Sequence, residues 1–410
     1  MNYRRLKYAC YTTNISMSVV ATLSPILFLT FRKMYGISYS LLGLLILINF
    51  VTQLSIDLIF SFFSHKFNIT KTVAFTPLLT IAGLFVYSLW PLFFPQIAYP
   101  GLLVGTILFS AASGLCEVLI SPVIAAIPSD NPEREMSTLH AVYAWGVVFV
   151  VIFSTLFLLL VGKEHWNWLA LILALIPAFS FILFSGAKIP AMETPARVSG
   201  ALSQMKSKTL WLCVLMIFFG GASEVAMAQW SSTFMEQALG IPKVWGDILG
   251  VAFFSVMLGT GRTLYVKIGK NISRVLLLGI IGAALCYFTV AVSNHPVFAL
   301  LACALTGLCT SMLWPGSLLV ATDRIPSGGV LIYALMAAGG DLGASIAPQI
   351  IGIVTDIAIE HPSILSFATN VSMSPEQIGL KLGMFIGLLF PLLAIPLYLH
   401  MYKTRKVQNP

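Results

Sequence analysis

Charged residues are scarce in this chain of 410 residues, and their scarcity excludes a soluble fold. Asp, Glu, Lys and Arg together make up 9% of the sequence, whereas about a quarter of a typical soluble domain is charged. So few charges could not cover a water-exposed surface, and the 58% of apolar residues must face lipid or other helices. The net charge of +8 does not indicate a nucleic-acid partner, because the basic residues stand in short pieces between apolar segments.

The signatures of enzymes and of structural metal or disulfide sites are missing as well. The sequence contains no His-Glu-x-x-His helix, no Walker loop and no Gly-x-Ser-x-Gly elbow. Its six cysteines lie inside apolar runs without metal or disulfide spacing, which is typical of free thiols that pack as small hydrophobes. No small-residue cleavage site follows the basic start, so we expect an uncleaved first helix. We predict no enzymatic activity, no cofactor and no metal site.

What the sequence does have is a series of apolar runs, each near the 20 residues that a helix needs to cross a bilayer. These runs predict an all-α integral membrane protein with twelve transmembrane helices. The predicted spans are 7–31, 39–63, 72–91, 99–127, 138–161, 168–187, 208–232, 246–266, 274–293, 296–320, 329–357 and 378–401.

The distribution of Lys and Arg predicts the orientation of these spans. With the N-terminus inside, 18 of the 23 basic residues fall in or beside inner segments, and five fall on the outer side. Cytoplasmic loops carry an excess of Lys and Arg. We therefore expect both termini to be cytoplasmic, in the plasma membrane of a bacterium (its inner membrane).

An internal repeat organises the chain. The stretch 114–130, GLCEVLISPVIAAIPSD, aligns without gaps to 307–323, GLCTSMLWPGSLLVATD. Five of the 17 aligned positions are identical. Apolar bias alone gives about one or two such matches. The copies differ where Glu117 corresponds to Thr310. A duplicated helix with a carboxyl group in one copy only is the arrangement expected of a two-fold transporter.

A polar segment separates the two repeats. Residues 188–207 are rich in Pro, Ser and charge, and they predict a cytoplasmic linker between a six-helix half at 1–187 and another at 208–410. Gly36-Ile37 recurs as Gly240-Ile241, and Asn68 with its neighbours recurs at Asn271, which supports a parallel duplication.

Three acids lie well inside predicted spans, where an ionised group is costly. They are Glu117, Glu224 and Asp341. We interpret Glu117 and Asp341 as proton-coupling groups and Glu224 as a substrate ligand. The alternative is that these carboxyl groups only form hydrogen bonds between helices. Asp57, Asp247 and Arg262 fall nearer the predicted membrane faces and are interpreted as interface or gating residues.

Aromatic and amide side chains within the spans complete the candidate site. Trp145, Trp230 and Trp314 lie away from the interfacial belt, where an indole ring can stack on a sugar while its N–H donates a hydrogen bond. Plain helix packing is the alternative for all three. The amides Asn14, Gln53 and Gln229 could line the same cavity, near the bilayer midplane, where two-repeat transporters bind substrate.

Twelve spans in two repeats with a central basic linker resemble the major facilitator superfamily. Within it, Gly114-Leu115-Cys116-Glu117 with Pro122 resembles the fucose–galactose–glucose:proton symporter branch, and so does 219–226, FGGASEVA, with Trp230. The resemblance implies the major facilitator fold and sugar uptake, with Glu117 as the proton-coupling acid.

Three functions follow from this sequence. The first is a proton-coupled transporter for a sugar or similar small polar solute, monomeric in the bilayer and working by alternating access. The second is a proton-driven exporter of drugs or metabolites, and the third is a membrane sensor that binds ligand without turnover. For the first, we expect Glu224→Ala to weaken substrate binding and Asp356→Asn, at an outer helix end, to have little effect.

Overall fold

The protein is described here by a computed structural model covering residues 3–63, 67–129, 132–190, 206–268, 271–325, 329–370 and 373–404. Within these ranges the regular structure is helical throughout, without a strand. Twelve helical segments are long and apolar enough to span a membrane. The prediction of an all-α integral membrane protein with twelve spans is therefore confirmed.

We number the twelve spanning helices α1 to α12. The first six are α1 at Arg4–Tyr35, α2 at Tyr39–Phe63, α3 at Ile69–Phe93, α4 at Ala98–Ala125, α5 at Pro132–Leu160, and α6 in two pieces, Trp166–Leu173 and Leu175–Ser185.

The second six are less regular, since two of them change geometry along their length. They are α7 at Lys208–Leu239, α8 at Lys243–Trp245, Gly246–Ala252 and Phe253–Ile268, α9 at Ile272–Val292, α10 at Pro296–Thr310 and Leu313–Arg324, α11 at Gly329–Glu360, and α12 at Pro375–Lys403. The middle piece of α8 is a π-helix. A short helix, Pro362–Asn370, lies between α11 and α12.

Matching residues begin and end matching helices in the two halves. Gly36 ends α1 with φ +66°, and Gly240 ends α7 with φ +65°, a left-handed conformation that glycine adopts without steric cost. Asn68 accepts a hydrogen bond from the Lys71 amide at the start of α3, and Asn271 accepts one from the Arg274 amide at the start of α9. The residues that recur at these positions in the two halves are therefore helix caps.

The chain forms two compact units. The N-terminal unit comprises residues 1–37 and 48–199, and the C-terminal unit comprises residues 38–47 and 200–410. The first turns of α2 thus belong to the C-terminal unit. Most of the expected linker at 188–207 lies outside the described residues, which omit 191–205.

Small residues allow the helices of each unit to pack closely, as is common in membrane proteins. In the N-terminal unit, a Cβ at Gly83 would lie 2.5 Å from the Phe109 amide nitrogen, so α3 and α4 approach backbone to backbone. In the C-terminal unit, a Cβ at Gly221 would lie 2.5 Å from the Gly340 carbonyl oxygen. These contacts fix α7 against α11 and so position the polar groups that both helices carry.

Candidate functional site

A buried polar stripe joins α2 to α4 in the N-terminal unit. On α2 it consists of Asn49, Gln53 and Asp57, which recur every four residues and therefore share one face of the helix. Ser110 of α4 donates a hydrogen bond to the Asn49 side-chain oxygen. A Cβ at Gly114 would lie 3.0 Å from the Gln53 carbonyl oxygen, so glycine is what allows the two helices to meet here.

At the end of this stripe the two acids Asp57 and Glu117 meet. Each has a carboxylate oxygen within 4.8 Å of the other's, and the two groups interact electrostatically. The Asp57 side chain is 1% exposed, and neither of its oxygens forms a hydrogen bond within the described part of the chain. No described basic side chain forms an ion pair with either acid.

This geometry favours binding of one positive charge by the pair. Two ionised carboxylates close together in an apolar environment repel each other, and burial adds a desolvation cost. A proton shared by the pair removes one of the two charges. Carboxylate oxygens are also ligands of hard metal cations, so a cation is the chemical alternative to a proton here.

The sequence interpretation missed Asp57, because its distance from the end of the predicted span suggested an interface position. The structure instead buries it next to Glu117. The signal that could have identified it is the four-residue spacing of Asn49, Gln53 and Asp57, since three polar residues on one face of a spanning helix must face other helices or a cavity.

The C-terminal unit carries an acid with a basic partner. Glu224 lies midway along α7, and its Oε1 is 3.5 Å from a terminal nitrogen of Arg262 on α8. The second oxygen of Glu224 is buried and has no hydrogen-bond partner within the described residues. The sequence interpretation made Arg262 an interface or gating residue near a membrane face, whereas in the structure its guanidinium group extends to Glu224 in the middle of α7.

An interruption of α10 holds Arg262 in place. Pro315 has no N–H, so the carbonyl of Ser311 four residues earlier lacks its helical partner. The helix breaks between Thr310 and Leu313. The Arg262 Nε–H donates to that Ser311 carbonyl at 3.1 Å, which satisfies the acceptor and fixes the guanidinium beside Glu224.

Trp314 and Asp341 lie on the helices that pack around this pair. A Cβ at Gly221, one turn before Glu224, would lie 3.0 Å from the Trp314 ring, and Gly340 also contacts that ring. Trp314 is half-buried, whereas Asp341, which follows Gly340 on α11, is 3% exposed. The structure thus places Glu224 and Trp314 in one neighbourhood of α7, α10 and α11.

Two other predicted ligands on α7 lie deeper in the packing. Gln229 is buried, and Trp230 is fully buried with its indole N–H donating to the Pro348 carbonyl at 3.0 Å. The Trp230 ring lies 5.9 Å from the Tyr39 ring, centroid to centroid. In this conformation the indole of Trp230 therefore packs between helices, which was the alternative interpretation of this residue.

The predicted ligands of the N-terminal half are Asn14 and Trp145. The side-chain amide of Asn14 is buried and donates to the Leu139 carbonyl of α5 at 2.6 Å. Trp145, one and a half turns further along α5, is 66% exposed. These two residues therefore lie on packed neighbouring helices, but only Trp145 presents its side chain to the surroundings of the unit.

A second buried ion pair stabilises the start of α8. Lys243 donates to a carboxylate oxygen of Asp247 at 2.9 Å, and Ser232 of α7 donates to the same oxygen. The side chains of Lys243 and Asp247 are 8% and 1% exposed. The sequence interpretation made Asp247 an interface or gating residue, and the structure shows that its side chain connects the start of α8 to α7.

Comparison with known proteins agrees with this architecture. The chain is similar to the crystal structure of a bacterial homolog of the human lysosomal transporter Spinster, with 12% identity, coverage of 99% of this chain and 98% of that chain, and a TM-score of 0.74. It is similar to the nucleoside transporter NupG, with 13% identity, coverage of 99% and 100%, and a TM-score of 0.69. It is also similar to the E. coli fucose:proton symporter FucP, with 15% identity, coverage of 96% and 99%, and a TM-score of 0.59.

At these identities the structural similarities show the fold alone. No curated protein matches the sequence. The family is shown by the sequence itself, which matches the family description over residues 9–348. With twelve spanning helices and this match over most of its length, the chain belongs to the Major Facilitator Superfamily of transporters.

Proposed function

We propose that this transporter moves a sugar or similar small polar solute by alternating access, coupled to protons through Glu117. The observation that carries the proposal is the pair formed by the buried Asp57 and the half-buried Glu117, which has no basic partner within the described residues. The resemblance of 114–117 to the fucose–galactose–glucose:proton symporter branch points the same way.

The pair couples to a proton because its charge state changes the cost of burial. With one proton bound, the pair carries a single negative charge that the shared hydrogen bond stabilises. With no proton bound, two carboxylates close together and largely shielded from water repel each other, and that state is favoured only when water reaches them. Glu117 takes up a proton when the pair is open to the outside and loses it when the pair is open to the cytoplasm.

The remaining parts of the assignment follow the sequence. We propose that Asp341 contributes to coupling and that the solute binds at Glu224, Gln229, Trp230 and Trp314, with Asn14 and Trp145 from the N-terminal half. We further propose six-helix halves at 1–187 and 208–410 that act as one monomer in the bacterial inner membrane, with both termini in the cytoplasm.

The test is Glu117→Gln, which keeps the shape of the side chain and removes its ionisation. A thermal-shift screen of purified protein against sugars, polyols and organic acids first identifies a probe that binds, since a ligand at about 100 times its Kd adds about 2.7 kcal/mol to stability. In proteoliposomes we expect the variant to lose accumulation driven by a pH gradient and to retain exchange of labelled for unlabelled probe.

The matched control is Glu360→Gln, at the exposed end of α11, which should accumulate the probe like the parent. If Glu117→Gln still accumulates the probe when only a pH gradient is imposed, the coupling role of Glu117 is wrong. If a sodium gradient rather than a pH gradient drives the parent, the coupling ion is sodium.

The same vesicles distinguish the alternatives. Movement of the probe in the direction of the protons indicates symport, and movement against them indicates an exporter. A ligand that stabilises the protein but shows no flux in either direction indicates a sensor.

A further inference from the structure

We propose that Glu224 and Arg262 together bind a pair of hydroxyl groups on a neutral solute, with the ring of Trp314 as the apolar surface beside them. This inference rests on the proposed function for the solute's transport. It adds Arg262 to the binding site and gives a physical reason why the solute is neutral. The alternative is that the ion pair only connects α7 to α8.

The first argument is that the ion pair leaves hydrogen-bonding capacity unused. Its closest nitrogen–oxygen distance is 3.5 Å, longer than the 2.7–2.9 Å that is typical of a charge-assisted hydrogen bond. The second oxygen of Glu224 has no hydrogen-bond partner in the described part of the chain, although it is buried. A buried carboxylate oxygen without a donor is costly, so a donor from a bound solute would be strongly favoured.

The second argument is that Arg262 is held in position with its terminal nitrogens available. Its Nε–H is bound to the Ser311 carbonyl, while its side chain is 31% exposed. Gly261 contacts the Ser311 side chain so closely that any Cβ there would clash, which keeps α8 against the break in α10. A guanidinium group fixed in this way loses little conformational freedom when it binds.

The third argument concerns the chemistry of the solute. Glu224 offers an acceptor and Arg262 offers donors, and together they carry no net charge. A hydroxyl group both donates and accepts, so two adjacent hydroxyl groups can satisfy both side chains at once. A solute carboxylate would be repelled by Glu224 and a solute ammonium by Arg262, so the intact pair favours a neutral polyol.

Trp314 supplies the apolar part of the site. Its half-buried ring lies against Gly221 and Gly340, and no side chain at those two positions separates it from α7 and α11. An indole ring beside hydrogen-bonding groups suits a sugar, whose ring has an apolar face and a polar edge.

The experiment measures binding of three matched probes to the detergent-purified full chain: a neutral hexose, its hexuronate and its amino sugar, each in the gluco and galacto configurations. The pH is near neutral, where the hexuronate is anionic, most of the amino sugar is cationic and the ion pair keeps its charges. For the parent we expect the neutral hexose to bind at least about tenfold more tightly than either charged probe.

The decisive result is a reciprocal change in selectivity. Glu224→Gln leaves Arg262 unbalanced, so hexuronate should bind better than the neutral hexose. Arg262→Gln leaves Glu224 unbalanced, so the amino sugar should bind better. Each variant should bind the neutral hexose about tenfold to a hundredfold more weakly than the parent. Glu360→Gln should bind all three probes like the parent.

A purely structural ion pair would not exchange the preference for the two charged probes. Equal selectivity in the parent and both variants, or no binding of any probe to the parent, overturns the proposal. If Arg262→Gln does not fold, Arg262→Lys replaces it: the charge remains, so selectivity should hold while neutral hexose binding weakens, and unchanged hexose binding contradicts the proposal. Because binding in detergent needs no proton gradient, this result is independent of the coupling test on Glu117.

Discussion

At the scale of single residues, three acids within the spanning helices differ in how their charge is compensated. Asp247 is neutralised by Lys243 and also accepts a hydrogen bond from Ser232. Glu224 has the looser partner Arg262. Among the described residues Asp57 has neither kind of partner, and it interacts electrostatically with another acid, Glu117. Only the last arrangement becomes more favourable when a charge is removed.

This difference predicts opposite effects of the same substitution at two sites. Asp57→Asn should raise thermal stability by about 1–3 kcal/mol at alkaline pH, because it removes repulsion and lets an amide donate to Glu117. The gain should shrink in acid, where a proton already relieves the pair. Asp247→Asn should instead lower stability by about 3–5 kcal/mol, because it leaves Lys243 buried without its counter-charge.

Thermal unfolding of the purified proteins across a pH series measures both effects. A destabilised Asp57→Asn at alkaline pH would mean that the Asp57 charge is compensated by groups other than Glu117, and the proton-sharing account of the pair would fail. Asp247→Asn serves as the matched control, since it is the same substitution at an equally buried acid.

At the scale of helices, α2 begins with a cap that comes from another helix. Asp356 of α11 accepts hydrogen bonds from the Tyr39 amide at 3.1 Å, and from the amide and hydroxyl of Ser40 at 2.6 Å each. The amides of a first helical turn have no partner within the helix, and a carboxylate there also interacts favourably with the helix dipole. A Cβ at Gly352 would lie 2.6 Å from the Tyr39 carbonyl oxygen, so the two helices meet backbone to backbone.

We therefore predict a local effect of Asp356→Asn. The neutral amide of Asn offers one acceptor oxygen instead of a charged pair, so the start of α2 should lose about 1 kcal/mol of local stability. Hydrogen exchange at residues 39–43 should speed up by about fivefold, the factor to which that energy corresponds.

Asp323→Asn is the control, because Asp323 is exposed near the end of α10 and exchange at 39–43 should not change. Unchanged exchange in Asp356→Asn would show that Ser38, whose hydroxyl accepts from the Leu41 amide, caps the helix by itself. The expectation that Asp356→Asn hardly affects substrate binding is a separate prediction and stands.

At the scale of the whole molecule, the two halves share helix-capping and helix-packing residues but differ in their ionisable groups. The capping residues recur at matching positions, and so does Gly114 at Gly307. However, Thr310, which corresponds to Glu117, donates its hydroxyl to the Thr306 carbonyl of its own helix at 2.9 Å. The N-terminal unit therefore holds the acid pair, and the C-terminal unit holds an acid–base pair.

The orientation of the molecule in the membrane is open to a direct test. Single cysteines at Lys163, between α5 and α6, and at Thr404, after α12, should react differently with a membrane-impermeant maleimide in intact cells. Because Lys and Arg are concentrated on the side of the termini, we expect labelling at 163 before permeabilisation and at 404 only afterwards.

The parent chain gives the background of this assay, since five of its six cysteines are buried and Cys309 is half-buried. The reverse pattern of labelling would place the termini outside and would reverse the proposed direction of proton uptake as well.

The sequence by itself determined the class, the number of spans and the repeat. These depend on properties that add up along the chain: about 20 apolar residues for each span, the capping preferences of Gly36 and Asn68, and the cost of a charge such as Glu117 inside an apolar run. Each of these can be read without knowledge of which helices are neighbours.

The tertiary structure decided which groups are partners. Asp57 and Glu117 are 60 positions apart in the sequence, and Glu224 and Arg262 are 38 apart; nothing in the local pattern of either helix indicates that they meet. The sequence therefore identified Glu117 and Glu224 as costly but assigned Asp57 and Arg262 to the membrane faces. Electrostatic energy depends on distance and on exposure to water, and both are fixed only when the helices have packed.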